Sequence, residues 1–174
     1  EIKPKSIAEA TITLTQESFV YNGQNQKPDV TEVKDGQRAL VLDQDYTITA
    51  NEGGTNAGEY AVTIAGKGNY NSQTSATKNF NITALETTPT VTLAETSFVY
   101  NGTERKPGVT VTVVLTQGAN PIELTTDDYD VAYSDNVNVG ENMAKATVTL
   151  KRNYVGQNTA TFSITPKSTA NVTI

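Results

Sequence analysis

The 174 residues carry 13 Lys+Arg against 19 Asp+Glu, a net charge of −6, and contain no histidine, cysteine or tryptophan. Without cysteine there is no disulfide, thiolate nucleophile or zinc-thiolate cluster, and without histidine no imidazole base, imidazole metal ligand or triad. The acidic balance argues against nucleic acid and anionic lipid as partners, since both call for a basic surface, and no apolar run reaches membrane-spanning length.

Apolar residues make up 36% of the chain, a low share, but they fall in short alternating runs instead of being diluted evenly, so the chain reads as folded. In the first half the runs are Ile12/Leu14, Phe19/Tyr21, Leu40/Leu42, Tyr46/Ile48, Tyr60/Val62/Ile64 and Phe80/Ile82, with Thr, Ser, Lys or Gln between. Period-two alternation of this kind predicts strands with one buried face. Asn22-Gly23 predicts a two-residue type I′ hairpin, and Asp35-Gly36 a second tight turn. Pro28 cannot donate to a ladder and belongs at an edge or a strand start. The second half reads likewise, through Val91/Leu93, Phe98/Tyr100, Val109/Val111/Val113, Tyr129/Val131/Tyr133, Ala146/Val148/Leu150 and Phe162/Ile164. Asn101-Gly102 and Pro107 repeat the turn signals, and the longer Gln117-Gly118-Ala119-Asn120-Pro121 replaces Asp35-Gly36. Glu32 stands where the second half places Val111, which calls for a bulge that turns Val33 inward or for an edge strand. No segment holds a 3.6-residue period, so essentially no helix is expected.

The two halves are one word written twice. Ser18-Phe19-Val20-Tyr21-Asn22-Gly23 returns as Ser97-Phe98-Val99-Tyr100-Asn101-Gly102, and Lys27-Pro28 returns as Lys106-Pro107. Asp45-Tyr46, Asn56-Ala57-Gly58, Asn69-Tyr70 and Phe80-x-Ile82 follow as Asp128-Tyr129, Asn138-Val139-Gly140, Asn153-Tyr154 and Phe162-x-Ile164. A single duplication therefore organises the chain. The expected division is 1–84 and 85–174, each half carrying a net charge of −3. The joint near Thr83-Ala84-Leu85-Glu86-Thr87-Thr88-Pro89 should be extended and stiff. Ile2-Lys3-Pro4-Lys5-Ser6 resembles Ile164-Thr165-Pro166-Lys167-Ser168, so 167–174 reads as the start of a third repeat and the chain as a stretch of a longer array. The expected fold class is all-β: two tandem immunoglobulin-like antiparallel β-sandwich domains.

The frame Phe-x-Tyr-Asn-Gly, Lys-Pro, Asp-Tyr-Thr-Ile, Asn-Ala-Gly, Val-Thr-Ile-Ala-Gly-Lys-Gly-Asn-Tyr and Phe-Asn-Ile resembles the bacterial immunoglobulin-like repeats of cell-surface and secreted proteins. The resemblance covers nearly the whole chain, twice, and implies sandwich modules strung in arrays as stalks or adhesins. The second half departs from the frame in two places. Leu150-Lys151-Arg152-Asn153-Tyr154 reads as two residues shorter than the Gly66-Lys67-Gly68 segment, and Gly140 is followed by an enlarged Glu141-Asn142-Met143-Ala144-Lys145 loop. Lys78, in phase with Phe80 and Ile82, raises a Lys–Asn isopeptide crosslink of the sort found in some surface sandwiches; the simpler reading is a packed stem with its ammonium in water.

Candidate chemistry is sparse. Asp127, Asp128, Asp130 and Asp135 form the densest carboxylate group, and Ca²⁺ would want several such oxygens converging. Alternation sets Asp128 and Asp130 opposite Tyr129 and Val131, so solvated strand-side residues are the favoured reading. Tyr60 and Tyr133 have no counterpart in the other half and are the ligand-stacking candidates, although both share parity with core neighbours. No catalytic residue, cofactor site or phosphate-binding loop is found. The sequons at Asn81, Asn101 and Asn171 matter only in a eukaryotic secretory pathway. The expected function is a non-enzymatic, monomeric stalk or spacer segment of a bacterial surface or secreted protein, with neighbouring repeats as its partners and no membrane insertion of its own. The alternatives are an adhesin that recognises glycan or host protein through loops or an edge strand, and an accessory module of a secreted hydrolase.

Overall fold

The computed structural model describes residues 2–168, so most of the expected third-repeat start, 169–174, lies outside the described residues. The chain divides into two compact units, Glu1–Ala84 and Leu85–Ile174, here called module one and module two. All regular structure among the described residues is strand.

Module one comprises β1 (Thr11–Leu14), β2 (Ser18–Val20), β3 (Val30–Asp35), β4 (Arg38–Ala39), β5 (Tyr46–Ala50), β6 (Gly58–Gly66) and β7 (Ser75–Thr83). A three-stranded sheet runs β1-β3-β4 and a four-stranded sheet β2-β7-β6-β5. Ile12, Leu14 and Val33 of the first sheet share one core with Tyr46, Val62, Ile64 and Phe80 of the second, which makes the module a β-sandwich. Module two comprises β8 (Leu85–Glu86), β9 (Thr90–Leu93), β10 (Ser97–Val99), β11 (Val109–Val113), β12 (Ile122–Glu123), β13 (Tyr129–Ser134), β14 (Gly140–Leu150), β15 (Tyr154–Val155) and β16 (Gln157–Thr165). Its sheets run β9-β11-β12 and β10-β16-β14-β13, with a separate pair β15-β8.

The sheets are not purely antiparallel. In module one β2 lies parallel to β7, with Phe19 opposite Ile82, and in module two β10 lies parallel to β16, with Phe98 opposite Ile164. This pairing corrects the expected hairpin at Asn22-Gly23. The strands flanking that dipeptide enter different sheets, so no hairpin can form there. Gly23 alone has positive φ, 78°, and the Asn22 side chain accepts the Gln24 N–H at 2.9 Å, a local Asx turn. The tight turn at Asp35-Gly36 does join two paired strands, with Asp35 opposite Arg38 and positive φ at Gly36.

Glu32 is resolved in favour of a bulge. Thr13 faces Glu32 but Leu14 faces Val30, so Thr31 is the extra residue and Val33 becomes fully buried. In module two Val91 faces Val111 and Leu93 faces Val109 without a shift. The residue equivalent to Val111 is therefore Val33, not Glu32. Leu42 and Ile48 are also corrected: Leu42 is exposed because β4 ends at Ala39 and the following turn leaves only Leu40 in the core, and Ile48 because it lies on β5, the edge strand of its sheet.

Two expected loop differences change as well. Gly66 pairs with Tyr46 and Leu150 with Tyr129, so Gly66-Lys67-Gly68-Asn69-Tyr70 and Leu150-Lys151-Arg152-Asn153-Tyr154 have equal length. Gly68 and Arg152 share a φ of 62°. The enlarged Glu141–Lys145 loop is instead a bulge within β14, where Gly140 pairs with Ile164 and Ala144 with Phe162. The joint at 83–89 is not a free linker, since Leu85 N–H donates to the Asn153 carbonyl and Thr87 N–H to that of Val155.

Arg152 holds a left-handed conformation that costs a non-glycine residue about 1–2 kcal/mol, partly offset in glycine by its greater unfolded freedom. Its ion pair with Asp127 is exposed on both sides and contributes little. Arg152→Gly should therefore stabilise module two by about 0.5 kcal/mol, read as a higher urea midpoint; an unchanged or lower midpoint contradicts this account of the turn.

Candidate functional site

The sequence-selected carboxylates are dispersed onto separate partners. Asp127 pairs with Arg152 at 3.2 Å, Asp130 with Lys151 at 2.6 Å and Asp135 with Lys145 at 3.9 Å. Asp128 turns back on its own loop, accepting the Thr125 hydroxyl at 2.7 Å and the Thr125 N–H at 3.3 Å. Its counterpart Asp45 does the same in module one, accepting the Val41 N–H at 3.1 Å with Arg38 at 3.3 Å. The repeated Asp-Tyr word is thus a loop-closing device. Among the described residues no group of three or more carboxylates is placed to hold a metal ion.

The unmatched tyrosines do the same structural work from different strands. Tyr60 on β6 stacks on Phe80 at 5.7 Å, donates to the Asn56 carbonyl at 2.8 Å and lies over Gly54, where an added Cβ would come within 2.0 Å of the ring. Ala144 takes the Tyr60 position opposite Phe162 in module two, and Tyr133 from the neighbouring strand packs against that group instead. The Tyr133 hydroxyl donates to the Pro107 carbonyl at 2.6 Å; in module one the matching Pro28 carbonyl accepts from Asn51 at 2.8 Å. Burial pushes the Tyr133 phenol above its usual range. Both rings are half-buried and both hydroxyls are bonded, so neither presents an open stacking platform. Of the matched tyrosines, Tyr46, Tyr129, Tyr70 and Tyr154 are buried. Lys78 packs its stem along the core face of β7 and pairs its ammonium with Glu17 at 2.8 Å.

Residues 8–95 match the family model for the MBG domain, and residues 89–168 match a second MBG domain model. The chain belongs to the MBG domain family. No curated protein matches it. The two MBG modules are tandem β-rich repeat units.

Sequence reasoning missed the densest polar cluster of the first MBG module. Lys5, on the segment entering the module, donates its backbone N–H to the Asn69 carbonyl at 2.9 Å and accepts from the Asn71 N–H at 2.8 Å. Its ammonium lies 2.6 Å from Asp35 Oδ2, which also accepts the Tyr70 hydroxyl at 2.9 Å, and Arg38 sits over the Tyr70 ring at 5.9 Å. The Lys5 ammonium, then the Tyr70 hydroxyl, holds the Asp35 carboxyl below its usual range; burial, then Asp35, raises the Tyr70 phenol. The available signal was the recurrence of Pro4-Lys5-Ser6 as Pro166-Lys167-Ser168.

Because the folded carboxyl of Asp35 is lowered, its stabilisation is present above the unfolded value near 3.8 and is lost as pH falls through the folded value. Asp35→Asn should therefore lower the thermal midpoint at pH 7 and flatten the acid limb of its pH profile; an unaltered acid limb excludes the role. Tyr133→Phe should cost about 1 kcal/mol at neutral pH, because the Pro107 carbonyl loses its donor. Denaturant titration of module two measures it.

Proposed function

We propose that this chain is a non-catalytic spacer segment of a bacterial surface or secreted protein, its MBG modules being immunoglobulin-like units that carry load along an array. The parallel pairing of β2 with β7 and of β10 with β16 carries this reading. β2 lies near the start of its module and β7 ends it, so a pull between the ends of the module slides these strands past one another and loads their hydrogen bonds together. An antiparallel terminal pair would open one bond at a time. Side chains reinforce both clamps: Thr83 Oγ1 donates to the Phe19 carbonyl at 3.0 Å and Thr165 Oγ1 to the Phe98 carbonyl at 3.1 Å. Only Ala84 separates the last residue of β7 from the first of β8.

A second reading, adhesin, has one observation in its favour. The β14 bulge borders an open groove of about 400 Å³ lined by Val139, Ile164, Pro166, Ser97, Glu141 and Ser163. Its counterpart in module one, beside Ser18, Glu59 and Asn81, is about 380 Å³. Hydroxyls and a carboxylate could meet sugar hydroxyls there, but no aromatic lines the module-two groove, and Phe80, which borders that of module one, is 2% exposed and packed between Phe19 and Tyr60, so neither groove offers the stacking platform such sites generally need.

Single-molecule pulling through the chain ends should give two unfolding events. Thr83→Val should lower the force of one and Thr165→Val that of the other, each removing a bond contributing about 1 kcal/mol. Events insensitive to both variants would sink the clamp reading. Specific capture on a glycan or matrix-protein array, abolished by Glu141→Ala, would transfer the assignment to the adhesin.

A further inference from the structure

Three positions change character together between the modules. In module one they are Lys5 on the entering segment, Asp35 at the end of β3 and Arg38 at the start of β4. Module two puts Leu85, Val113 and Ile122 in their places. The equivalence is set by the backbone. Lys5 N–H donates to Asn69 and Leu85 N–H to Asn153, at 2.9 and 2.8 Å, while Asp35 pairs with Arg38 and Val113 with Ile122. One set is wholly charged and the other wholly apolar.

A single exchange between the sets leaves a charge without its partner. A lysine in place of Leu85 would meet no carboxylate at the corner, because the residue there is Val113, 2% exposed. A leucine in place of Lys5 would leave the Asp35 carboxylate, whose side chain is 19% exposed, without its ammonium. Even the loop acid follows the pattern: Asp45 takes Arg38, whereas Asp128 takes the Thr125 hydroxyl, Ile122 offering no charge.

We propose that the segment entering each module and the β3–β4 or β11–β12 corner that receives it form a matched pair, so that a module accepts an entering segment of its own kind, charged or apolar. This rests on reading the chain as part of an array, and it adds a rule for which segment fits which module. Module one takes an extended Pro-Lys-Ser segment through one ammonium. Pro166-Lys167-Ser168 is of the same charged kind, so it fits a module with a carboxylate in the Asp35 place and mismatches a corner like that of module two.

Backbone hydrogen exchange in the full chain tests the pair at the bonds it holds. Lys5→Met and Asp35→Asn should each speed exchange of the Lys5 and Asn71 amides by about two- to fivefold, and the double variant should be no faster than either. In module two Leu85→Lys should speed exchange at Leu85 and Thr87, while Leu85→Met leaves both near wild type. Multiplying losses in the double variant, or equal exchange in Leu85→Lys and Leu85→Met, would overturn the matching rule. Neither result alters the force response of Thr83→Val and Thr165→Val, so this rule and the spacer reading fail separately.

Discussion

A domain of this size with few large apolar residues buries a modest core, and its ends would fray unless their backbone groups were paired. The parallel pairing of the early strand β2 with the final strand β7, and of β10 with β16, meets that need. It holds the beginning and end of a module side by side and leaves the long antiparallel pair, β6 with β7 or β14 with β16, to form the middle of the sheet. Phe19 and Phe98 are carried on the short strands and meet Phe80 and Phe162 edge-on at 5.9 and 5.7 Å. Closure and core are therefore one structure. The entering residues Lys5 and Leu85 extend the same logic by pairing in parallel with the loop at Tyr70 and Tyr154.

On this scaffold the modules differ by compensated exchanges rather than by loss. The ring over Phe80 comes from the strand opposite it, whereas the ring beside Phe162 comes from one strand further away. An asparagine satisfies the carbonyl of Pro28 and a tyrosine that of Pro107. One extra residue in β3 is absorbed as a bulge, and two extra residues in β14 likewise. Backbone closure fixes what each position must supply, a volume or a donor, and leaves open which strand supplies it.

The alternating runs made the strands and the duplication legible, because a half-buried strand imposes period two whatever it pairs with. Pairing direction was not legible. Ser18-Phe19-Val20 reads the same beside a parallel or an antiparallel neighbour, and the neighbour lies more than sixty residues away. Asn22-Gly23 misled for a related reason, since its dipeptide signal is local while the partners of its flanking strands are not. Alternation also failed at Leu42, where a turn breaks the phase, and at Ile48, which keeps the phase opposite Ile64 but sits on the edge strand β5. Among site candidates, the carboxylate density at 127–135 was visible but not its distribution onto Arg152, Lys151 and Lys145, which β14 and its following turn bring across the sheet. The Lys5–Asp35–Tyr70 group was invisible because its members are separated by 30 and 35 residues.

Function in such a chain has to be sought in relations between repeats. In both modules the repeated Asp-Tyr word closes a loop, and the unmatched aromatics fill core in whichever module lacks the other's ring. At the corner receiving the entering segment, three equivalent positions are charged in one module and apolar in the other while the backbone bonds that close it are kept. The Lys5 and Leu85 segments differ in charge while donating to the same place in the backbone, Asn69 and Asn153, so closure rests on the backbone and the side chains at the corner are left to carry the proposed matching.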